Sequence, residues 1–332
     1  MNSIDNQTKK LLKNKNWETP SSFEELGYIY FGPIIFNFFI WLSNEVKGCD
    51  KVLFNSREGH FLEKIYTVFK ERYNLPESVY FKTSRRLASL AYYSTKDDIY
   101  NSFKSHRYEG YLSNLLKDRF GIQHEVEHDY IIDTRTAIPN IDQYIDDILQ
   151  KSSIVRNEYK KYVMEVIGDA KNVVMVDSGF QGTTQHYIQQ AFGLTFKGRY
   201  FTFKNNRVLE NTKGFYDINR TDFYKNIIFF ESVFIDNVGS YIDILDGKFI
   251  NERFDESVQF YDQKNRIVLG SIQFLNDMFT NGFDYDTASM EYPDYIFTLM
   301  CTDNFIKNNN LTSIFYHDNY YTRDLLKQVT RK

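Results

Sequence analysis

The 332-residue chain carries 40 basic and 44 acidic side chains, a formal charge of −4, so no global positive field draws it to nucleic acid or to an anionic membrane. Its two cysteines, Cys49 and Cys301, are too few for a disulfide framework and lack the spacing of a thiolate zinc site, which fits a reducing, cytoplasmic setting. The first twenty residues are polar without an apolar stretch, so no secretory leader is expected.

Phe (30) and Tyr (26) are abundant while Gly (16) and Pro (5) are scarce; such rings either fill a core or stack on sugars, and the core is the commoner use. A polar tail is expected over residues 1–21. Ser22-Phe23-Glu24-Glu25 has the pattern of a capping box and predicts a helix start, opening the first half of an α/β core over 22–95. The most apolar run, Phe31 to Leu42, is about half the length that crosses a bilayer and carries Pro33 and Asn37, so it reads as a buried helix. Lys51 to Asn55 is a short apolar strand, followed by Phe61, Leu62, Ile65, Tyr66 and Phe69 at helical spacing. A second strand is expected at Ser78 to Lys82 and a further helix over Ser84 to Tyr93.

Residues 96–170 read as a helical insertion without strands, ending in a long helix from about Ile141 to Ile167. The second half of the core, 171–236, brings a strand at Val173 to Val176, a glycine-containing loop, a helix to Phe192 and a strand at Arg199 to Phe203. The remainder, 237–332, holds a hairpin about Asp246-Gly247 and then helices near 263–279 and 292–307. Strands alternating with helices predict a parallel sheet covered on both faces.

Chemistry concentrates where strands give way to helices. In Asp177-Ser178-Gly179-Phe180-Gln181-Gly182-Thr183-Thr184-Gln185 an acid ends a strand, two glycines permit a tight turn and two hydroxyls open a helix, whose free N–H groups suit a phosphate monoester. The spacing is neither that of a Walker loop nor G-x-G-x-x-G. Ser56-Arg57-Glu58-Gly59 ends another strand and offers a guanidinium fork, a carboxylate and a close-approach glycine; Thr83-Ser84-Arg85-Arg86 ends a third. Each alone is an ordinary solvated turn; three on one sheet edge mark the side where such sheets bind ligands.

Together these loops resemble a family of bacterial capsule and O-antigen biosynthesis proteins, often linked to a haloacid-dehalogenase-like phosphatase, whose characterised members are phosphoribosyltransferases. The resemblance extends from Leu26-Gly27-Tyr28 and Gly32-Pro33 to Glu231 and Gly239-Ser240. It implies a type I phosphoribosyltransferase-like parallel sheet and transfer of ribofuranose 5-phosphate from phosphoribosyl pyrophosphate (PRPP), with magnesium, to a glycan acceptor. The acceptor is expected to be lipid-linked and met at the inner face of the membrane, and a separate phosphatase to act afterwards.

By position, the resemblance assigns the 5-phosphate and ribose to Asp177 through Gln185 and the pyrophosphate to Ser56, Arg57, Glu58 and Gly59 with Arg85 or Arg86. It places Glu231, Gly239 and Ser240 near the acceptor. Glu58, Asp177 and Glu231 are the candidate acids or bases, unranked. Type I enzymes carry two adjacent acids where this chain has Asp177-Ser178, which leaves the metal ligands open. Two alternatives compete: a non-catalytic carbohydrate-binding scaffold, supported by the aromatic content, and a zinc hydrolase using His124 and His128 of His124-Glu125-Val126-Glu127-His128. The second lacks a helical apolar stripe around its histidines and reads as a solvated loop. Asp284-Tyr285-Asp286-Thr287 mimics a phosphatase nucleophile motif but follows a turn, Thr280-Asn281-Gly282, rather than a strand.

Overall fold

The computed structural model describes residues 3–15, 20–105, 108–123, 129–179, 181–204, 209–217, 230–231, 233–252, 260–280 and 288–300. Five parallel strands form the central sheet: β1 (Lys51–Asn55), β2 (Glu77–Phe81), β5 (Val173–Asp177), β6 (Lys197–Phe203) and β7 (Lys213–Asp217), in the order β2-β1-β5-β6-β7. The expected α/β class and its parallel sheet are present, with one strand more than expected. β7, Lys-Gly-Phe-Tyr-Asp, has too few apolar residues to announce itself and forms against β6.

Alternation along the strands separates two cores. Val52 and Phe54 of β1 and Val174 and Val176 of β5 face one apolar cluster, while Leu53, Val173 and Met175 face the other. The first face is covered by α2 (Phe23–Glu45), α3 (Gly59–Tyr73) and α10 (Tyr261–Thr280). On the opposite face lie α4 (Arg85–Tyr92), α8 (Ile145–Ile167) and α9 (Thr183–Phe192). Helix α3 connecting β1 to β2 and α9 connecting β5 to β6 thus lie on opposite sides. The chain winds outward in two directions from the β1/β5 pair, which makes the gap between those strands the topological switch point.

Most of the aromatic excess is in these cores. Phe36, Phe38, Phe39, Phe54, Tyr66 and Tyr159 are among the largest fully buried side chains; Phe38 meets Phe201 edge-on at 5.3 Å, and Phe201 stacks on Phe230 at 3.9 Å. Each such ring contributes about 1.5–3 kcal/mol by burial alone.

Ser22 caps α2 by accepting from the Glu25 N–H at 3.1 Å; Glu25 reaches back to the N–H of Ser21 rather than of Ser22. Helix α2 is long and apolar enough to cross a bilayer, with a mean hydropathy of 1.5, yet 89 % of that stretch is buried inside the protein. It packs on α10 at backbone contact: a Cβ on Gly27 would lie 1.9 Å from the Ile267 carbonyl oxygen, and one on Gly270 equally close to that of Glu24. Neither oxygen can rotate away. Gly270→Ala is expected to destabilise the protein by about 1–3 kcal/mol or more, read as a lower denaturant midpoint, while Leu269→Ala on the exposed face stays near neutral.

Three expectations need correction. The segment expected as a polar tail contains α1 (Ser3–Leu12), because Ile4 and Leu12 bury one helical face and Asp5 accepts from Ser289 at 2.7 Å. The insertion is not strand-free: β3 (Glu109–Tyr111) and β4 (Ile131–Asp133) form an antiparallel ribbon beside α5 (Lys96–Ser105), α6 (Leu112–Leu115) and α7 (Thr134–Ile141). Three-residue strands are too short to show a period. The long helix α8 starts at Ile145, after a 3-10 turn at Asp142–Tyr144.

The hairpin is as expected: β8 (Tyr241–Leu245) and β9 (Lys248–Asn251) join through Asp246 and Gly247, both at positive φ. The C-terminal helices are α10 and α11 (Glu291–Met300).

Candidate functional site

At the switch point the last residues of β1 and β5 touch. The Asn55 Nδ2 donates to Asp177 Oδ2 at 2.7 Å, and the Ser178 N–H donates to Asp177 Oδ1 at 2.7 Å. Burial pushes the Asp177 carboxyl up to about 7 and the charge of Glu58 adds to this; the Asn55 and Ser178 donors and the positive charge of Arg85 pull the other way. Asn55 is 2 % exposed, and its Oδ1 is buried with no hydrogen-bond partner among the described residues. The sequence gives Asn55, at the start of this loop, no role of its own; its contact with Asp177 requires the register that sets β1 beside β5.

The loop after β1 is tied down by hydrogen bonds. Ser56 is buried, its hydroxyl donating to the Thr83 carbonyl and accepting the Thr83 N–H at 3.0 Å, while its own N–H donates to Phe81 O at 2.9 Å. Ser56 therefore ties the ends of β1 and β2 together. Arg57 adopts φ 71°. Its carbonyl accepts from the N–H groups of His60 and Asp236, each at 3.2 Å. Glu58 precedes α3, which has no side-chain cap, and a Cβ on Gly59 would lie 2.8 Å from the Phe54 carbonyl carbon, so the helix can start this close to the strand only with glycine there.

The loop after β5 ends in a second uncapped helix. Gly182 occupies the N-cap of α9 with φ 66° and offers no side chain to the first-turn N–H groups. Thr183 and Thr184 follow, partly exposed, and Gly179 lies beside the buried Ser178, while Gln181 is exposed. Gln185 lies elsewhere than expected: it is fully buried, its Oε1 accepting from the Tyr200 hydroxyl at 2.9 Å and its Nε2 donating to Gln189 and the Phe196 carbonyl. It braces α9 against β6 rather than reaching a ligand. A Cβ at Gly182 would point at Leu209 and Tyr200, not into open space beyond the helix start. Phe180 lies outside the described residues.

The third loop distinguishes its two arginines. Ser84 caps α4, accepting the Leu87 N–H at 3.0 Å and donating to the Tyr241 carbonyl at 2.6 Å. The positive charge of Arg85 acts on Asp177. Arg86 turns instead toward Gly121 and the hairpin, where burial lowers its pKa and the carboxylates of Asp243, Asp118 and Glu252 counter that. Of the two, Arg85 is the one whose charge reaches Asp177.

A segment from far along the chain reaches all three loops. Glu231 Oε1 accepts from the Ser178 hydroxyl at 3.3 Å, the Asp236 N–H donates to Arg57, and the Tyr241 carbonyl holds Ser84. Between these points, the Gly239 and Ser240 carbonyls accept from the Asn251 Nδ2 at 2.7 Å and the Glu252 N–H at 3.0 Å.

Among the described residues no group of three or more His, Cys, Asp or Glu side chains could hold a metal ion. Both His124–His128 and Asp284–Thr287 lie outside them. No family model matches the chain, and no curated protein matches it.

Proposed function

We propose that the protein is a glycosyltransferase that moves ribofuranose 5-phosphate from PRPP to a glycan hydroxyl and releases pyrophosphate, on a type I phosphoribosyltransferase-like sheet. One observation carries the reading: two helix starts without side-chain caps, α3 and α9, flank the half-buried carboxylate of Asp177 at the switch point. Helix starts favour phosphate oxygens, and a carboxylate between them favours sugar hydroxyls. PRPP has that order of groups: a diphosphate at C1, hydroxyls at C2 and C3, and a monophosphate at C5.

In this arrangement α3 with Arg57 and Arg85 takes the pyrophosphate, and α9 with Thr183 and Thr184 takes the 5-phosphate. Asp177 accepts from the ribose hydroxyls. The bond from C1 to the pyrophosphate oxygen breaks as positive charge develops on the ring. The cationic and N–H groups at α3 stabilise the departing anion. The acceptor hydroxyl attacks C1 from the opposite face, giving a β-linked product, and its proton passes to a carboxylate. Glu231 lies on the segment assigned to the acceptor; Glu58 and Asp177 remain the other candidates for that proton.

Magnesium fits as a companion of the donor rather than as a resident ion. Asp177, Glu58 and the Asn55 Oδ1 would supply hard oxygen ligands, too few for a closed cage but matching the way magnesium is shared between one or two carboxylates and substrate phosphates. When bound it would neutralise charge on the leaving group. The proposed partners are a glycan acceptor, lipid-linked at the inner membrane face, and a separate phosphatase that removes the 5-phosphate.

The test is transfer: purified protein, PRPP, magnesium and glycan acceptors from the host strain, with mass spectrometry of the acceptor. Addition of one phosphorylated pentose supports the proposal. Failure of folded protein to modify any such acceptor argues against it.

A further inference from the structure

We propose that Tyr80 and Asp236 are positioning residues that hold the Arg57 peptide in its left-handed conformation and so aim the start of α3 at a bound diphosphate. This rests on the donor-site assignment above. A non-glycine residue at φ 71° persists only where its surroundings over-determine it, and such residues gather where ligands are held. Both backbone polar groups of Arg57 bond to Tyr80 and Asp236, and the carbonyl also accepts from the His60 N–H. Its N–H donates to the Tyr80 hydroxyl at 3.2 Å, and its carbonyl accepts from the Asp236 N–H at 3.2 Å.

The Tyr80 hydroxyl in turn donates to Asp236 Oδ2 at 2.6 Å, closing a ring of three hydrogen bonds around the Arg57 peptide. Asp236 is 4 % exposed, and its Oδ2 lies 3.9 Å from the Nδ1 of His60, whose Nε2 is 3.3 Å from the Tyr261 hydroxyl. Burial and the Asp236 charge push ionisation of the Tyr80 phenol far above its usual range, so the hydroxyl keeps its proton and serves as donor and acceptor together. Asp236 also lies between Glu231 and Gly239 in the chain. The segment assigned to the acceptor therefore supplies one of the supports of the loop assigned to the leaving group.

The experiment is calorimetric titration of the full-length protein with inorganic pyrophosphate and magnesium at neutral pH. Tyr80→Phe keeps the ring that packs edge-on to His60 and removes only the bridging oxygen; it is expected to weaken pyrophosphate about tenfold or more, the equivalent of one lost hydrogen bond to a site-forming group. Arg57→Ala removes the guanidinium but keeps the pinned peptide, so it should weaken pyrophosphate separately, and the two losses should multiply in the double variant. Asp236→Ala should match Tyr80→Phe, whereas Asp236→Asn, which keeps an acceptor for the hydroxyl, should bind nearly as the native protein does.

A merely structural role would lower the melting temperature of Tyr80→Phe and Asp236→Ala while leaving pyrophosphate binding by the folded protein unchanged. Native-like pyrophosphate binding by Tyr80→Phe and Asp236→Ala overturns the inference and leaves the donor site standing. Absence of pyrophosphate binding by the native protein overturns both.

Discussion

Asp177→Asn is expected to cut PRPP affinity or turnover roughly ten- to a hundredfold or more, the worth of one or two charge-assisted hydrogen bonds, while the circular dichroism spectrum stays native. The change is nearly isosteric, and one side-chain oxygen remains to accept from Asn55 or Ser178. What disappears is the negative charge between the two helix starts.

The same residue gives a pH signature without any ligand. Its folded pKa, about 7, is raised above the ordinary 3.8, so the folded state holds the proton more tightly than the unfolded chain does. The stability it contributes is complete below about pH 4 and is lost as pH rises toward and through the folded pKa. Melting temperatures of native protein and Asp177→Asn, compared at about pH 4 and about pH 8, should therefore shift in favour of the variant at the higher pH. A difference independent of pH would mean that Asp177 is not held in an environment hostile to its charge.

Gly182→Val is the second large effect: loss of detectable PRPP binding with the sheet intact. From sequence, the expected reason is a side chain filling the phosphate's space. The geometry gives a different one. At φ 66° a β-branched residue is strained by about 1–2 kcal/mol or more, and its Cβ would meet Leu209 Cδ1 at 2.3 Å. Leu209 can rotate; the backbone cannot escape its φ without turning the α9 N–H groups away from the cleft. Replacing Leu209 by Ala in the Gly182→Val background should therefore restore little PRPP binding by calorimetry. Full restoration would show that crowding, not the backbone, is responsible.

How much of this was visible in the residues differs from element to element. Apolar strands bounded by turn residues, Lys51 to Asn55 and Val173 to Val176, announce themselves, as does the Asp246-Gly247 hairpin. β7 does not, because an edge strand that opens on Lys213 and Gly214 draws its definition from β6. The polar N-terminal stretch hides α1, since two apolar residues eight positions apart make a face only once another surface is there to cover it.

In the site, Asp177, Arg57 and Gly59 were legible because strand ends and glycines punctuate the sequence. Asn55, Tyr80 and Asp236 were not, since each matters through a neighbour 122, 23 or 156 residues away. The distinction between Arg85 and Arg86 likewise waited on the hairpin that draws Arg86 aside. Gln185 shows the opposite failure: it sits at the right place in a helix start, but its side chain turns inward to Tyr200.

The most direct measurement of the central claim is isothermal titration of the native protein with PRPP and magnesium near neutral pH, repeated in two buffers of different ionisation enthalpy. Stoichiometric binding is expected. It should release protons, because ribose hydroxyls and a cation at Asp177 favour the carboxylate over the acid it becomes near pH 7. Folded protein that takes up no PRPP would contradict the account, and binding without buffer-dependent heat would remove Asp177 from the ligand.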